Sequence, residues 1–353
     1  MSRGLPSPSI PFAVHGAVDE IELRSLGLSA DDVTDFSASV NPFGPSPSVH
    51  EALRNVTLNR YPDRHCEALT RKVAEQHGVA IENVLVGNGA SELLWLAALT
   101  ILRPGDRALV LGPTYGEYVR ACRIAEAEPV ELRASESDRF RPDLASVAED
   151  RASAVFLCNP NNPTGRLIPR DALADISSQR PDQTWIVDEA YQDYLASESS
   201  MICLEAPNIL VVRSLTKAHA LAALRVGYAI GPSGLIGAMR EHQPPWSVNS
   251  MAQAAAVAAL SDTAHLRATV DRLRREGGRM SDTLATGGWP ILATDTPYFL
   301  VRVGDATGFR RELLGKGILV RDATSFGLPS WIRISPRRPK ENDRFLAAMD
   351  DLR

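Results

Sequence analysis

Short apolar runs alternate with amphipathic helical stretches through most of the chain. The runs cover residues 84–86, 107–111, 153–157, 184–187, 209–212 and 225–230. Strands that are separated by helical segments predict an α/β fold, with a mostly parallel central sheet covered by helices on both faces. Ligands of such sheets bind at the carboxyl ends of the strands. We therefore expect the site among the polar segments that follow these runs.

The pattern changes after the Gln-Pro-Pro-Trp segment at residues 243–246. An alanine-rich helix and a charged helix follow, and residues 298–303 and 331–334 then alternate like half-buried strands. This part of the chain predicts a smaller α+β domain. The predicted organisation is an arm (1–44) that packs on the small domain, a large domain (45–245) and a small C-terminal domain (246–353).

Composition and charge narrow the class of protein. The chain has 353 residues, 44% of them hydrophobic and 23% charged, with a formal net charge of −5. These values are typical of a globular enzyme. The acidic balance argues against nucleic acid as a partner, because no positive field attracts phosphates.

Neither the cysteines nor the apolar segments indicate a metal site, a disulfide framework or a membrane span. The four cysteines form no CxxC pair, so we expect buried thiols in a reducing cytoplasm and no metal. The N-terminus lacks the apolar core of a signal peptide. The longest apolar run, residues 93–102, is too short to cross a bilayer and is closed by Glu92 and Arg103. We expect a cytoplasmic protein.

The most informative residue is Lys217, which follows the apolar run at 209–212. Ser214 and Thr216 precede it closely, and Arg225 lies eight positions after it. A lysine there can form a Schiff base, and the hydroxyls and the guanidinium can hold a phosphate. The pattern predicts a pyridoxal phosphate (PLP) enzyme in which Lys217 carries the cofactor.

Four other strand ends carry groups that fit the same cofactor. Asp188 can keep a pyridine nitrogen protonated, although an aspartate here can also serve as a helix cap. Asn162 lies in NPNNPTG, which is also a turn-forming sequence. Residues 87–92 form a glycine turn that opens a helix, where free N–H groups bind phosphate. Tyr115 can stack on the ring or pack in the core.

The segments NPNNPTG (159–165), DEAY (188–191) and SLTKAHALAALRVGYAIG (214–231) resemble the fold type I, class I/II family of PLP-dependent aminotransferases. The resemblance covers nearly the whole chain. It implies that Lys217 forms the Schiff base, that Asp188 pairs with the pyridinium, and that Asn162 and Tyr191 bond the cofactor O3′. The residues implied around the cofactor phosphate are Ala90, Ser91, Ser214, Thr216 and Arg225.

The resemblance also implies assembly and a ring contact. Tyr115 would stack on the cofactor ring. Tyr61 would reach the phosphate of the neighbouring subunit, so a homodimer with a shared active site is expected. A PLP-binding regulator or an inactive scaffold is the alternative from another class. The family motifs begin at His15, which leaves no room for a regulator's DNA-binding domain, and an inactive scaffold would lose Lys217 or Asp188.

Two subgroups fit the substrate side. The segments with His15, with Asn41 and with residues 243–249 are similar to L-threonine-O-3-phosphate decarboxylase, which makes (R)-1-amino-2-propanol phosphate for cobamides. Arg333 and Arg337, four residues apart on an extended segment, and Arg321 would bind a phosphate and a carboxylate. We therefore expect a decarboxylase (a lyase) of a phosphorylated amino acid, with His15, Asn41 and these arginines at the substrate. A histidinol-phosphate-type aminotransferase is the alternative.

Four positions depart from the decarboxylase pattern. Each replaces a glycine or an asparagine of that pattern, and they are Ala17, Ser39, Ala223 and Pro297. The predicted cofactor residues are unaffected, whereas the substrate side differs. The sequence leaves open whether the reaction is decarboxylation or transamination.

Overall fold

The structure is a computed structural model, and it describes residues 13–203 and 206–353. The first 12 residues of the predicted arm lie outside the described residues. The strands are β1 Thr34–Asp35, β2 Val84–Gly87, β3 Arg107–Gly112, β4 Glu128–Arg133, β5 Ala154–Cys158, β6 Thr184–Asp188, β7 Ile209–Ser214, β8 Gly227–Ile230, β9 Ile291–Leu292, β10 Phe299–Arg302, β11 Ile318–Leu319, β12 Arg321–Asp322 and β13 Trp331–Ile334.

The α-helices connect these strands and cover them. They are α1 Glu20–Ser25, α2 Pro47–Arg54, α3 Glu67–His77, α4 Gly89–Ile101, α5 Glu117–Ile124, α6 Leu144–Glu149, α7 Arg170–Ser178, α8 Ser233–His242, α9 Ser250–Ser261, α10 Thr263–Thr286, α11 Ala306–Gly315 and α12 Pro339–Asp351. In the described part of the chain, none of them is long and apolar enough to cross a membrane.

The central sheet has seven strands in the order β2-β8-β7-β6-β5-β3-β4. The strands from β7 to β4 are parallel, and β8 runs antiparallel to both of its neighbours. Every residue of β5 and β7 is buried, as expected for strands with helices on both faces. The predicted α/β fold of type I is confirmed.

The edge strand β4 was not predicted from the sequence. Its residues alternate between intermediate and exposed positions, and its segment EPVELR includes a proline. An edge strand packs on one side only and therefore tolerates polar residues and proline. The apolar-run criterion misses such a strand.

Two hydrophobic cores lie on opposite faces of the central sheet. One contains Leu69 and Val73 of α3 with Ala255 of α9. The other contains Leu93 of α4 and Tyr118 of α5. Because side chains alternate along a strand, the strands contribute to both cores.

The helix α10 passes from the large domain to the small one. Val270 and Leu273 lie in the core of the large domain, whereas Met280 and Leu284 lie in that of the small domain. The preceding helix α9 packs within the large domain. The structural division therefore falls inside α10, later than the predicted boundary at residue 246, because the alanine-rich face of α9 fits closely against α2 and α3.

The small domain is a four-stranded antiparallel sheet in the order β12-β13-β10-β9, packed against α10 and α12. The arm joins it through β1, which pairs in parallel with β11. Phe36, directly after β1, lies 4.9 Å from the ring of Phe345 in α12. The backbone N–H of Asn41 donates to the carbonyl of Lys217 in the large domain, so the arm lies between the small domain and the strand ends of the large domain.

Ala17 of the arm has a φ of 121°, a backbone conformation in which residues other than glycine are strained. We expect Ala17→Gly to raise the free energy of unfolding by about 1 kcal/mol, because relief of strain exceeds the added entropy of the unfolded chain. Urea unfolding measures this. The control Ala38→Gly, at an ordinary φ, should lower stability by about 0.5–1 kcal/mol. Equal losses in both variants would contradict the prediction.

Candidate active site

A cavity of about 270 Å³ opens at the carboxyl ends of β5, β6 and β7, beneath the arm and beside the small domain. It brings together most of the predicted site residues. They are His15, Ala90, Ser91, Tyr115, Asn162, Asp188, Tyr191, Ser214, Thr216, Lys217, Arg225, Arg321 and Arg333. A position at strand ends is the usual one for a ligand in this class of sheet.

Lys217 lies on the segment that follows β7. Its carbonyl oxygen accepts hydrogen bonds from the backbone N–H of Asn41 at 3.0 Å and of Ala220 at 3.1 Å. Burial, followed by the charges of Arg333 and Arg225, lowers the pKa of Lys217 to about 8. A substantial fraction of this amine is therefore neutral near pH 8, whereas an ordinary lysine is almost fully protonated there. A neutral amine is the nucleophilic form.

Asp188 is buried at the end of β6. Its Oδ1 accepts the backbone N–H of Ala190 at 2.9 Å, and its Oδ2 accepts the hydroxyl of Tyr118 at 2.7 Å. Burial raises the pKa of Asp188 to about 6, and the hydrogen bonds from Tyr118 and Ala190 oppose this rise. The carboxylate is thus held ionised near neutral pH by two donors.

Tyr118 was not among the predicted site residues. It is fully buried, and its ring meets that of Tyr115 edge to face at 5.6 Å. No periodic signal in the sequence marks it, because Tyr115 lies before α5 and Tyr118 is the second residue of that helix.

The other side of the cavity is aromatic. Burial raises the pKa of Tyr115 to about 12, so its hydroxyl stays protonated, 3.4 Å from the hydroxyl of Ser91. Tyr191 is also buried, and its ring lies edge-on against Tyr298 at 4.9 Å. Asn162 lies beside them and accepts a hydrogen bond through Oδ1 from Arg333, which leaves its amide N–H available.

One end of the cavity is built to hold an anion. Arg225 lies against Gly89, the first residue of α4, and a Cβ on Gly89 would come within 2.8 Å of Arg225 Nη2. The N-terminus of α4 directs free N–H groups towards this point. The hydroxyls of Ser214 and Thr216 lie 2.7 Å apart at the same cavity. Within the described residues, no carboxylate lies within 4.0 Å of Arg225.

The opposite end carries two more cations. Arg321 and Arg333 face each other on the neighbouring strands β12 and β13. Arg333 donates to Asn162 and to the Ser37 carbonyl, whereas its buried Nε lacks a hydrogen-bond partner in the described chain. Burial and the charge of Arg333 lower the pKa of Arg321 to about 10. In the described part of the chain neither arginine has a carboxylate within salt-bridge distance, and two such buried like charges favour a bound anion.

Three predicted residues lie away from the cavity. Asn41 is buried and donates to the Ala218 carbonyl and to Thr269 Oγ1, both at 2.9 Å, so it fastens the Lys217 segment. Arg337 lies beyond the end of β13 and faces Glu341 at 3.8 Å. Tyr61 is 80% exposed, with its ring stacked on Trp246 at 4.7 Å.

The positions of Asn41 and Arg337 correct the predicted substrate set. Arg337 would share a side with Arg333 only if the strand continued, but β13 ends at Ile334 and α12 begins at Pro339. Among the departures from the decarboxylase pattern, Ser39 bonds to Ser335 at 2.7 Å at the cavity wall.

The residues present fit PLP. The cavity offers an amine on Lys217 that can lose its proton near neutral pH. It also offers the buried carboxylate of Asp188 for a ring nitrogen, and a site beside Arg225 that suits a phosphate. A side chain at residue 89 would collide with Arg225, at the end of the cavity where a phosphate would lie, so the glycine keeps that space open.

Comparison with known proteins gives the family. The model of the family described as aminotransferase class I and II matches residues 31–349. The histidinol-phosphate aminotransferase of Moorella thermoacetica is 33% identical over 358 residues, covering 97% of this chain and 90% of that protein. Histidinol-phosphate aminotransferase 2 of Pseudomonas aeruginosa is 34% identical over 348 residues, covering 96% and 94%.

Solved structures share the fold. Histidinol-phosphate aminotransferase from Sinorhizobium meliloti, in complex with pyridoxal-5′-phosphate, has a TM-score of 0.85 at 24% identity and covers 95% of each chain. L-threonine-O-3-phosphate decarboxylase from Porphyromonas gingivalis has a TM-score of 0.80 at 27% identity, covering 90% of this chain and 98% of that one.

The expectation of a threonine-phosphate decarboxylase, and with it lyase chemistry in cobamide biosynthesis, is wrong. Relatives at 33% and 34% identity are named histidinol-phosphate aminotransferases, whereas the decarboxylase is similar at 27%. The cation that favoured the decarboxylase, Arg337, also lies outside the cavity. The cofactor prediction is confirmed as PLP, and the chain belongs to the class I and II aminotransferase family.

Proposed function

We propose that the protein is an aminotransferase that acts on histidinol phosphate or a closely related small phosphorylated amine. The observation that carries the proposal is the Arg321–Arg333 pair, which faces the cavity of Lys217 without a carboxylate partner in the described chain. Two guanidinium groups match one phosphate monoester. The histidinol-phosphate aminotransferases that cover more than nine-tenths of the chain support the same substrate class.

Separate groups would hold separate parts of the cofactor. Asp188 would hold the ring nitrogen, and the Asn162 amide and Tyr191 hydroxyl would hold O3′. Arg225, the hydroxyls of its neighbours and the start of α4 suit the phosphate. When bound, PLP supplies a ring that accepts electrons from the substrate Cα.

Lys217 moves the proton in this proposal. Its lowered pKa, about 8, would let the free amine accept a proton from the substrate Cα and later release that proton again during the amino transfer. Arg333 lies at the substrate end and lowers the Lys217 pKa through its charge. A substrate phosphate at Arg333 would partly neutralise that charge, so substrate binding and the proton affinity of Lys217 are linked.

A homodimer also forms part of the proposal. Arg225 is exposed in the single chain at the phosphate end of the cavity. Elsewhere on the surface, Leu58, Tyr61, Trp246 and Met251 leave apolar area exposed, with Leu58 and Tyr61 each 80% exposed. Contact between these surfaces of two copies would bury the apolar area and bring the Tyr61 hydroxyl to the partner's phosphate.

The first test measures the reaction. With histidinol phosphate and a 2-oxo acid, the wild type should produce the keto product and the new amino acid. The wild-type protein with PLP should show an absorbance band at about 420 nm, and Lys217→Ala should abolish this band. Arg302→Ala, an exposed arginine outside the cavity, is the control and should retain both. Release of CO₂ without transamination would refute the proposed reaction.

The second test concerns Tyr118 and Asp188 in protein freed of cofactor. The pKa of Asp188 is raised by folding, so its ionisation costs stability as the pH rises through about 6. Tyr118→Phe removes a donor to the carboxylate and should raise this pKa further. The loss of unfolding free energy should be greater at about pH 8 than at about pH 5, by about 1 kcal/mol.

Tyr194→Phe is the matched control, because the Tyr194 hydroxyl is buried and lacks a hydrogen-bond partner in the described chain. Its effect should be small and independent of pH. Urea unfolding at the two pH values measures both variants. Identical pH dependence in Tyr118→Phe and Tyr194→Phe would show that Tyr118 does not support the ionised carboxylate.

The third test concerns assembly. Light scattering should give the wild type twice the 38.3 kDa of one chain. Leu58→Asp should reduce this to a single chain, whereas Ile21→Asp, at a residue 73% exposed on α1, should not. Tyr61→Phe should leave the dimer intact and weaken PLP binding about tenfold, since a hydrogen bond to a charged phosphate is lost. A wild-type monomer that binds PLP equally well would exclude the shared site.

A further inference from the structure

A buried carboxylate next to the cavity has no part in holding PLP. Glu117 is the first residue of α5 and is 6% exposed. Its Oε2 accepts the indole N–H of Trp95 at 3.1 Å, and Arg120 Nη1 lies 3.7 Å from the same oxygen. A buried charge needs such partners. They leave the other oxygen, Oε1, for one further donor.

That donor is His15 of the arm. Its Nε2 lies 3.0 Å from Glu117 Oε1, and its side chain is 46% exposed. His15 lines the cavity, with its ring 5.5 Å from that of Tyr115. The described residues give Nδ1 no hydrogen-bond partner. A carboxylate that accepts from one imidazole nitrogen orients the ring. In the imidazolium form the other nitrogen also carries a hydrogen and can donate it to an anionic ligand.

The arm backbone brings His15 to the substrate end. Arg321 Nη2 donates to the Val14 carbonyl at 2.8 Å, and the Ala17 N–H donates to Ser37 Oγ at 2.9 Å. Between them, a Cβ on Gly16 would lie 2.5 Å from the Ser37 carbonyl oxygen, so the arm is pressed against this segment. His15 therefore directly follows Val14, whose carbonyl oxygen accepts a hydrogen bond from Arg321. Arg321 is one of the two cations at the substrate end of the cavity.

We propose that Glu117 is a positioning residue that orients the His15 imidazole, and that His15 provides a third contact to the anionic group of the substrate beside Arg321 and Arg333. The proposal rests on the proposed function for the identity of that anion, a phosphate monoester. The other interpretation of the same contact is an anchor that only fastens the arm. If Glu117 orients His15 towards the anion, loss of the Glu117–His15 contact should raise the KM only for a phosphorylated substrate. If the contact is only an anchor, the KM should rise equally with and without the phosphate.

The experiment compares Glu117→Gln with wild-type holoenzyme. Glutamine has one acceptor oxygen and cannot serve both the Trp95 and His15 donors. We expect the KM for histidinol phosphate to rise about tenfold, with kcat and the KM for unphosphorylated histidinol within about twofold. Glu22→Gln is the matched control, because it removes the arm's ion pair with Arg310, 2.6 Å long, away from the cavity.

A double-mutant cycle tests the link to His15. His15→Ala should raise the KM for histidinol phosphate about tenfold in the wild type and less than about threefold in Glu117→Gln. Additive effects would overturn the positioning role. Equal increases for phosphorylated and unphosphorylated substrates, or the same increase in Glu22→Gln, would identify an arm anchor and overturn the proposal.

Inorganic phosphate separates this proposal from the proposed function. Its dissociation constant from the holoenzyme, measured by calorimetry, should rise in Glu117→Gln and in His15→Ala and stay unchanged in Glu22→Gln. If histidinol phosphate is not a substrate but this pattern holds, the proposed function fails and the positioning role stands. If histidinol phosphate is a substrate but the dissociation constant of inorganic phosphate is unchanged in Glu117→Gln, the positioning role fails.

Discussion

The structure depends on a buried carboxylate, Asp188, placed among an excess of positive charge. Its oxygens accept hydrogen bonds from Tyr118 and Ala190, which offset the cost of burial. Around it the cavity carries Lys217, Arg225 and the arginine pair of the small domain. Because these cations outnumber the carboxylate, the electrostatics of the cavity are completed only by anionic ligands at both ends. Burial, together with the same excess of positive charge, lowers the pKa of Lys217, so more of its amine is in the neutral, nucleophilic form.

The gathering of most of the predicted residues at one cavity was predictable because the carboxyl ends of parallel strands meet at one edge of a sheet. Asn162, Asp188 and Lys217 each follow a strand in the sequence, and β5, β6 and β7 are direct neighbours. Local pattern fails where a contact joins distant segments. Tyr118 reaches Asp188 across 70 positions, and Glu117 reaches His15 across 102, without a periodic signal in either segment.

The predicted reaction failed for a related reason. The arm resembles a decarboxylase pattern at Gly16, whose structural role concerns the backbone because it is pressed against Ser37. The arm departs from that pattern at Ala17, which nevertheless takes a glycine-like φ. Such residues fix the path of the arm over the cavity, and that path is compatible with either reaction. The two-residue period that related Arg333 to Arg337 applies only within a strand, and β13 ends between them.

The start of α5 connects the two chemical ends of the site. Tyr115 borders the cavity, Glu117 bonds to the arm, and Tyr118 bonds to Asp188, all within four consecutive residues. Tyr115 lies just before α5, whereas Glu117 and Tyr118 are its first two residues. The side chains of Glu117 and Tyr118 diverge because a helix turns about 100° per residue, so the start of one helix serves two partners. A shift of this turn would move the supports of His15 and Asp188 together. The position of the arm is therefore mechanically linked to the Asp188 carboxylate at the cavity, through a single element that packs in the large-domain core.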